Sequence, residues 1–238
     1  MCKFWIFRLF LIRSNFFFLI LILSLDIIPT IQAQIPDPNF DRQSKHLFIY
    51  AGMGLCYTST PSFNTYIRNT IYNGLYDSVK TFSVGLEVFG GVEYEVSKKF
   101  SIGLDYSYFT KSRTYDVYYG IEDFFYFIHQ PYIIFRYIIK GKNYSFKFGG
   151  GTGYHIGQLQ ISGIGNYVSK YNSSGIGFKG EVLFSAKMSQ ILRTYFSGSI
   201  GGAVLSSFTV TNSFGDSNKV NLSNFGIGIR IGLSYKIF

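Results

Sequence analysis

The sequence predicts an all-β fold, an eight-stranded antiparallel up-and-down transmembrane β-barrel preceded by a cleavable signal peptide. Two observations predict it. Apolar and polar residues alternate with a period of two, as in Ser83–Val96, and successive side chains of a strand point to opposite faces. The connections between such segments alternate between short turns and long polar loops, which is typical of barrels that cross an outer membrane.

Charged residues of the predicted strands occupy one face only. In Ser83–Val96 the three acids share one parity and the apolar residues share the other. An Arg or Lys facing lipid at the middle of a bilayer costs about 2–4 kcal/mol, so the charged face is expected to point inward. We therefore predict a charge network in the lumen. Its members are Glu87, Glu93, Glu95, Asp105, Arg136, Lys147, Lys179, Glu181, Lys187, Arg230 and Lys236.

This network contains five acids and six bases, so its net charge is close to zero. Buried charges persist in proteins when they are paired. The interior of an eight-stranded barrel is just wide enough for side chains to fill it. The sequence thus predicts a filled lumen crossed by salt bridges, not a diffusion pore.

Residues 1–33 have the pattern of a secretory signal peptide. Three basic residues precede the apolar run Phe16–Leu25, which is too short for a comfortable membrane span. Cleavage is expected after Ala33. An uncleaved anchor helix over residues 16–31 is the alternative, which Asp26 disfavours.

Residues 34–45 form a polar lead-in, and the barrel domain is predicted to span 46–238. The eight strand candidates are 46–57, 81–96, 100–109, 124–139, 144–157, 175–189, 194–205 and 222–238. The long connections are 58–80, 110–123, 158–174 and 206–221. An even number of strands places both termini on the short-turn side, which is expected to be periplasmic.

Composition excludes several classes of function. The formal net charge of the 238 residues is +9, but Lys and Arg are scattered, so nucleic acid is not an expected partner. Cys2 leaves with the signal peptide, so Cys56 stands alone and no intrachain disulfide is expected. The histidines have no metal-ligand spacing, and no catalytic motif occurs. We expect no cofactor, no metal site and no enzymatic activity.

His129 is the residue on which an alternative rests. Its parity places it on the lipid side of the fourth predicted strand, roughly 27 Å from the short-turn end at about 3.3 Å per residue and a tilt near 40°. A histidine at that interface could act as general base for a neighbouring serine, as in enzymes that modify lipid A. The simpler interpretation is a histidine within the aromatic girdle.

Phe125–Tyr137, F-Y-F-I-H-Q-P-Y-I-I-F-R-Y, resembles the central strand of the PorT-like outer-membrane β-barrel family of the Bacteroidota. The Gly-rich segment Tyr144–Gly157 is similar to the strand that follows in that family. Phe225–Phe238 resembles the C-terminal signal read by the barrel-assembly machinery. The resemblance implies a barrel over residues 46–238. One family member is linked to protein secretion, so the resemblance also implies a secretion component as an alternative function.

The leading prediction is a small integral outer-membrane protein with a structural or interaction role, whose surface loops make the contacts. Its expected partners are outer-membrane lipids and lipopolysaccharide, the barrel-assembly machinery during biogenesis, and a protein bound through the loops. A soluble lipocalin-like barrel is a further alternative, and it would require apolar residues inside and charges outside.

Overall fold

The barrel is seen in a computed structural model of the chain. The structure describes residues 46–71, 83–117, 120–163, 168–211 and 217–237. These residues form a closed eight-stranded antiparallel barrel, which confirms the predicted fold class. The signal peptide and the lead-in, predicted over residues 1–45, lie outside the described residues.

Ten strands and one helix make up the described fold. The barrel strands are β1 (Leu47–Ser59), β2 (Val84–Glu95), β3 (Phe100–Val117), β4 (Gly120–Lys140), β5 (Tyr144–Ser162), β6 (Val168–Lys187), β7 (Leu192–Leu205) and β10 (Asn224–Lys236). Helix α1 (Pro61–Ile71) follows β1, and the hairpin of β8 (Ser207–Thr211) and β9 (Ser217–Asn221) lies between β7 and β10. The barrel closes because β1 pairs with β10.

The pairing of the strands sets the tilt of the barrel. A path that starts at Phe48 of β1 and steps from each residue to its paired residue on the next strand goes once around the barrel. It returns to β1 at Thr58, ten residues closer to the loop end. The residues between them are Glu93, Gly103, Ile134, Gly151, Lys179, Gly201 and Gly226. A stagger of ten over eight strands fits a tilt of about 40° and an interior that side chains can fill.

Outward side chains of the barrel form an apolar belt. Leu104 and Phe135 are each 63% exposed, and Ile231 is 62% exposed. Water-soluble proteins rarely expose so large a continuous apolar surface, whereas barrels that cross an outer membrane carry an apolar band about 25 Å tall. Nine of the eleven charged residues predicted to face the lumen are buried inside instead. The faces are therefore opposite to those of a soluble lipocalin-like barrel, and that alternative is wrong.

Two of the predicted loops are wrong. Most of 110–123 belongs to β3 and β4, and most of 158–174 belongs to β5 and β6. The period-two pattern continues through these segments with its polarity inverted. Phe109 and Leu159 face inward and are buried, whereas Ser112 and Gln158 face outward. The inversion marks the level at which the outward face leaves lipid and meets water.

The other two predicted loops contain regular structure. Helix α1 lies entirely within 58–80, where Pro61 takes the first helical position after Thr60, a favourable start for a helix. The hairpin β8–β9 lies within 206–221, and the Asn221 backbone amide donates to Oγ of Ser62 at 3.2 Å. Over the described ranges, no helix is long and apolar enough to cross a membrane.

Helix α1 and the β8–β9 hairpin close the loop end of the barrel. Phe63 and Ile67 of α1 and Val220 of β9 are each 1% exposed, and they pack against the inward face of the extended strands. We call this cluster the loop-end cap. Its buried members are Phe63, Ile67, Phe109, Tyr115, Phe124, Tyr126, Ile128, Leu159, Ile161, Ala203, Leu205, Val210, Val220 and Leu222.

Replacing Ile231 with arginine is expected to lower the free energy of unfolding by about 2–4 kcal/mol, because this side chain projects from the middle of the outward face of β10. Ile237→Arg, on the same face at the edge of the belt, is expected to cost about 0–1 kcal/mol. Urea titration of the protein folded into phospholipid vesicles measures both values. Equal losses at the two positions would contradict a lipid-facing belt.

Candidate functional site

Eight charged side chains form one continuous chain through the lumen. Acids and bases alternate along it, so that every base contacts at least one acid and the total charge is zero. Each of these residues is at least 94% buried. In order from the short-turn end they are Lys147, Glu93, Arg136, Glu181, Lys179, Asp105, Arg230 and Glu87.

The half of the chain nearer the short turns centres on Glu93. Nζ of Lys147 donates to Oε1 of Glu93 at 2.6 Å, and the Ser101 hydroxyl donates to the same oxygen at 2.6 Å. Nη1 of Arg136 lies 3.5 Å from Oε2 of Glu93, and its Nε donates to Glu181 at 2.6 Å. These contacts join β2, β4, β5 and β6 across the lumen.

The other half centres on Asp105. Nζ of Lys179 and Nη1 of Arg230 both contact Oδ2 of Asp105, the arginine at 3.1 Å. Arg230 also makes a two-pronged pair with Glu87, in which Nε donates to Oε2 at 2.8 Å. Lys179 lies 3.6 Å from Glu181, which connects the two halves. Bidentate pairs of this kind are both strong and directional.

Every base of the chain also lies over an aromatic ring. Lys147 lies over Phe48, Arg136 over Tyr50, Lys179 over Tyr132 and Arg230 over Phe89, at 4.7–5.4 Å from the ring centroids. A cation over a ring face gains about 0.5–2 kcal/mol, more when water is excluded. The rings thus offset part of the desolvation cost that the ion pairs carry.

The other three residues predicted for the network lie at its short-turn margin. Glu95 is buried and accepts from Nζ of Lys140 at 2.6 Å, a pair separate from the chain of eight. Lys236 is half-buried, with Nζ 3.5 Å from Nε2 of His46. Lys187 is exposed, because it is the last residue of β6 and lies where the lumen opens to solvent.

Side chains fill the lumen on both sides of the charge chain. A cavity of about 20 Å³ lies beside Arg136, Glu93 and Tyr195, and one of about 40 Å³ lies beside His155 and Cys56. Each has room for about one to three waters. The loop-end cap lies beyond the larger cavity, so neither cavity forms an open passage along the barrel.

Several lumen residues have no counterpart in the sequence-based prediction. Lys111 is 3% exposed, lies 5.0 Å from the ring centroid of Tyr126 and approaches Oγ1 of Thr60 at 3.5 Å. Its segment is part of the long polar connection that the sequence predicted as a loop. Continuation of the period-two pattern past Phe109 is the signal that places Lys111 inside.

His155 is buried against a glycine on the next strand. Its ring packs edge-on against Tyr132, with centroids 5.0 Å apart, and is 1% exposed. A Cβ at Gly177 would lie 2.1 Å from Nε2 of His155. Gly177 therefore provides the space that the imidazole occupies.

His129 lies on the outward face, near the upper edge of the belt. It is exposed, and the Tyr106 hydroxyl lies 2.6 Å from its Nδ1. The ring of Tyr108 is 5.1 Å away. Among the described residues, no serine hydroxyl hydrogen-bonds to His129, and no cluster of three or more His, Cys, Asp or Glu side chains is arranged to hold a metal.

Known proteins share the fold of this chain. No family model and no curated protein sequence matches it. A major outer-membrane protein of Thermus thermophilus aligns with a TM-score of 0.51 at 9% identity, over 80% of this chain and 99% of that one. Ail of Yersinia pestis aligns with a TM-score of 0.49 at 9% identity (82% and 100% covered), and OprG of Pseudomonas aeruginosa with 0.49 at 11% (82% and 97%).

At these sequence identities the similarity concerns the fold alone, and the alignment with the Thermus protein supports the barrel fold. Together with an apolar exterior and an ion-paired interior, the fold defines the class of small transmembrane β-barrels of the outer-membrane type. Membership of the PorT-like family stays a prediction.

Removing one member of the charge chain should strongly destabilise the barrel. Arg230→Met is expected to cost about 3–5 kcal/mol, because it leaves Glu87 and Asp105 buried without this partner. Adding Glu87→Gln should make the total smaller than the sum of the two single losses by about 0.5–3 kcal/mol. Denaturant titrations in vesicles measure each value. The control is Lys187→Met, which is expected to change stability by less than about 0.5 kcal/mol. If the losses of the two single variants simply add in the double variant, Arg230 and Glu87 are not coupled.

Gly177→Ala is expected to lower stability by about 1–3 kcal/mol, because the new methyl overlaps the His155 ring. Adding His155→Ala should recover part of that loss. Gly198→Ala is the matched control, since a Cβ there meets nothing within 4 Å. The same titrations test all three variants, and an equal effect at positions 177 and 198 would contradict the packing described here.

Proposed function

We propose that this protein is an integral outer-membrane barrel with a structural or interaction role, a closed lumen and both termini in the periplasm. The observation that carries the proposal is the combination of an apolar exterior with a buried chain of eight ion-paired side chains whose total charge is zero. A wall of this kind is stable only when lipid surrounds it. The expected lipids are those of the outer membrane, including lipopolysaccharide.

The same interior supports a role other than transport. The charge chain crosses the barrel, and the loop-end cap packs Phe63 and Ile67 into its mouth. Opening a path for solutes would require breaking several buried ion pairs, each costly to leave half-paired. We therefore place the function on the outer surface and at the loop end, where contacts with other molecules are usually made.

A non-catalytic role is part of the proposal. Catalysis on lipid A would need a nucleophile or an activated water beside His129. The hydrogen-bond partner of this histidine is the Tyr106 hydroxyl, and its ring lies against Tyr108. This arrangement supports an interfacial aromatic cluster more than a catalytic pair.

The resemblance of Phe125–Tyr137 to PorT-like barrels supports a narrower proposal, a secretion component in a member of the Bacteroidota. The ordered loop end would then be the surface that meets another protein. Insertion by the barrel-assembly machinery would use the last strand, whose outward face is apolar from Phe225 to Ile237.

A deletion strain tests these roles together. Secreted proteins and outer-membrane lipids are compared between the wild type and the deletion strain, with and without a plasmid copy of the gene. Loss of secreted proteins would favour the secretion component, whereas altered lipid A that His129→Ala also produces would favour the enzyme. A soluble periplasmic location, found without detergent, would overturn the membrane assignment.

The purified protein is expected to show no steady ion conductance in a planar lipid bilayer, because the charge chain and the cap fill its interior. An open porin reconstituted in the same way is the positive control. Insertion is checked by protease protection of the barrel. Stable unitary currents from inserted protein would contradict the closed lumen.

A further inference from the structure

The four long strands form a wall that rises beyond the rest of the barrel. Past Thr110, β3 has no paired residues on β2, and before Gly175, β6 has none on β7. The inward face of this wall packs on the loop-end cap. Its outward face is uncovered in the described structure.

An aromatic strip runs up the outward face of this wall. It consists of Tyr106, His129, Tyr108, Phe127 and Phe125. The rings of Phe125 and Phe127 are 6.5 Å apart at an interplanar angle of 5°, and those of Phe127 and Tyr108 are 6.1 Å apart at 17°. The planes of the last three rings are therefore nearly parallel, and the rings form a continuous aromatic row.

The upper part of the strip lies above the apolar belt. Phe125 is four residues beyond His129 on β4, roughly 10 Å further along the barrel axis at about 3.3 Å per residue and a tilt near 40°. The residues paired with Phe125 and Phe127 on both sides are polar. They are Thr110 and Ser112 on β3 and Gln158 and Gln160 on β5.

These polar neighbours are neutral groups that both donate and accept hydrogen bonds. Nε2 of Gln158 donates to Oδ1 of Asn172 on β6 at 3.0 Å, which holds two amides side by side at the surface. Two charged residues lie at the upper edge of this group: Asp123, which accepts from Oγ1 of Thr114 at 2.6 Å, and Lys170, which pairs with Gln160. An aromatic row beside amides and hydroxyls suits a ring that has an apolar face and hydroxyl groups at its rim.

We propose that the aromatic strip and its amide neighbours bind the sugar head group of a glycolipid in the surrounding leaflet. A pyranose ring would place its C–H groups against Phe125 and Phe127, and its hydroxyls would reach Gln158 and Gln160. The strands hold these groups in a fixed arrangement, as a binding site requires. The inference rests on the proposed function, since the loop end must lie in the lipopolysaccharide leaflet.

Continuity with the belt favours a glycolipid over a soluble partner. Tyr106 pairs with Pro131 within the belt, and the strip continues from there to Phe125 without a polar outward residue on β4 other than His129. A ligand that follows the strip therefore touches lipid at its lower end and water at its upper end. A lipid with a sugar head group has that shape and that polarity.

The test uses the full-length mature protein in nanodiscs of phosphatidylcholine. Its probes are rough-type lipopolysaccharide carrying core sugars, lipid A without them, and the free core oligosaccharide. Calorimetric titration gives the affinities, and the signals of ¹³C-labelled phenylalanine rings locate the contact. Wild-type protein should bind the core-bearing form more tightly than lipid A. The Phe125→Ala, Phe127→Ala double variant should lose that preference, with a fall in affinity of about tenfold or more.

Phe196→Ala is the matched control, because Phe196 is a 52% exposed aromatic residue on the far side of the belt. It should change affinity by less than about twofold. Unchanged affinity in the double variant would overturn the site, and so would equal affinity for lipid A. If the wild-type protein is a dimer and the double variant is a monomer, the strip binds a second copy of the chain instead. Failure of the protein to insert into nanodiscs would refute the proposed function itself. This outcome is distinct from a loss of glycolipid binding by inserted protein.

Discussion

The barrel depends on the exclusion of unpaired charge from two apolar environments at once. Lipid surrounds the wall, and a lumen of eight strands is too narrow to keep bulk water around charged groups. Ionised side chains can therefore stay inside only as partners of each other. The chain from Lys147 to Glu87 satisfies this constraint, since its acids and bases alternate and each base also has an aromatic ring beneath it.

Polarity inverts where the wall leaves the bilayer. Below that level, Leu104 and Ile133 face lipid while Asp105 and Arg136 face the lumen. Above it the outward positions are mostly polar, and the inward positions form the apolar cap around Phe63. One continuous strand thus carries two opposite patterns, because its outer solvent changes from lipid to water. The aromatic strip on β4 departs from this rule, and the proposed glycolipid site rests on that departure.

Side-chain direction was predictable wherever a strand carried several charges. Glu87, Glu93 and Glu95 share a parity, and the cost of placing charge in lipid leaves only one orientation for β2. The same reasoning placed Lys179 and Arg230 inside. It failed for 110–117 and 158–162, because their polar residues were interpreted as loop composition, whereas most of them form the outward half of a strand. Helix α1 was missed because its apolar positions matter only against the cap that other segments build.

The order of residues in the sequence determines which face of a strand each side chain occupies, because successive side chains of an extended backbone point to opposite faces. It also decides that the strands must close, because an open edge cannot be left in lipid. Which acid meets which base is a different matter. Glu93 reaches Lys147, and Asp105 reaches Arg230, because a stagger of ten residues brings those levels together across the lumen. That stagger is a property of the closed ring of eight strands, and no segment carries it alone.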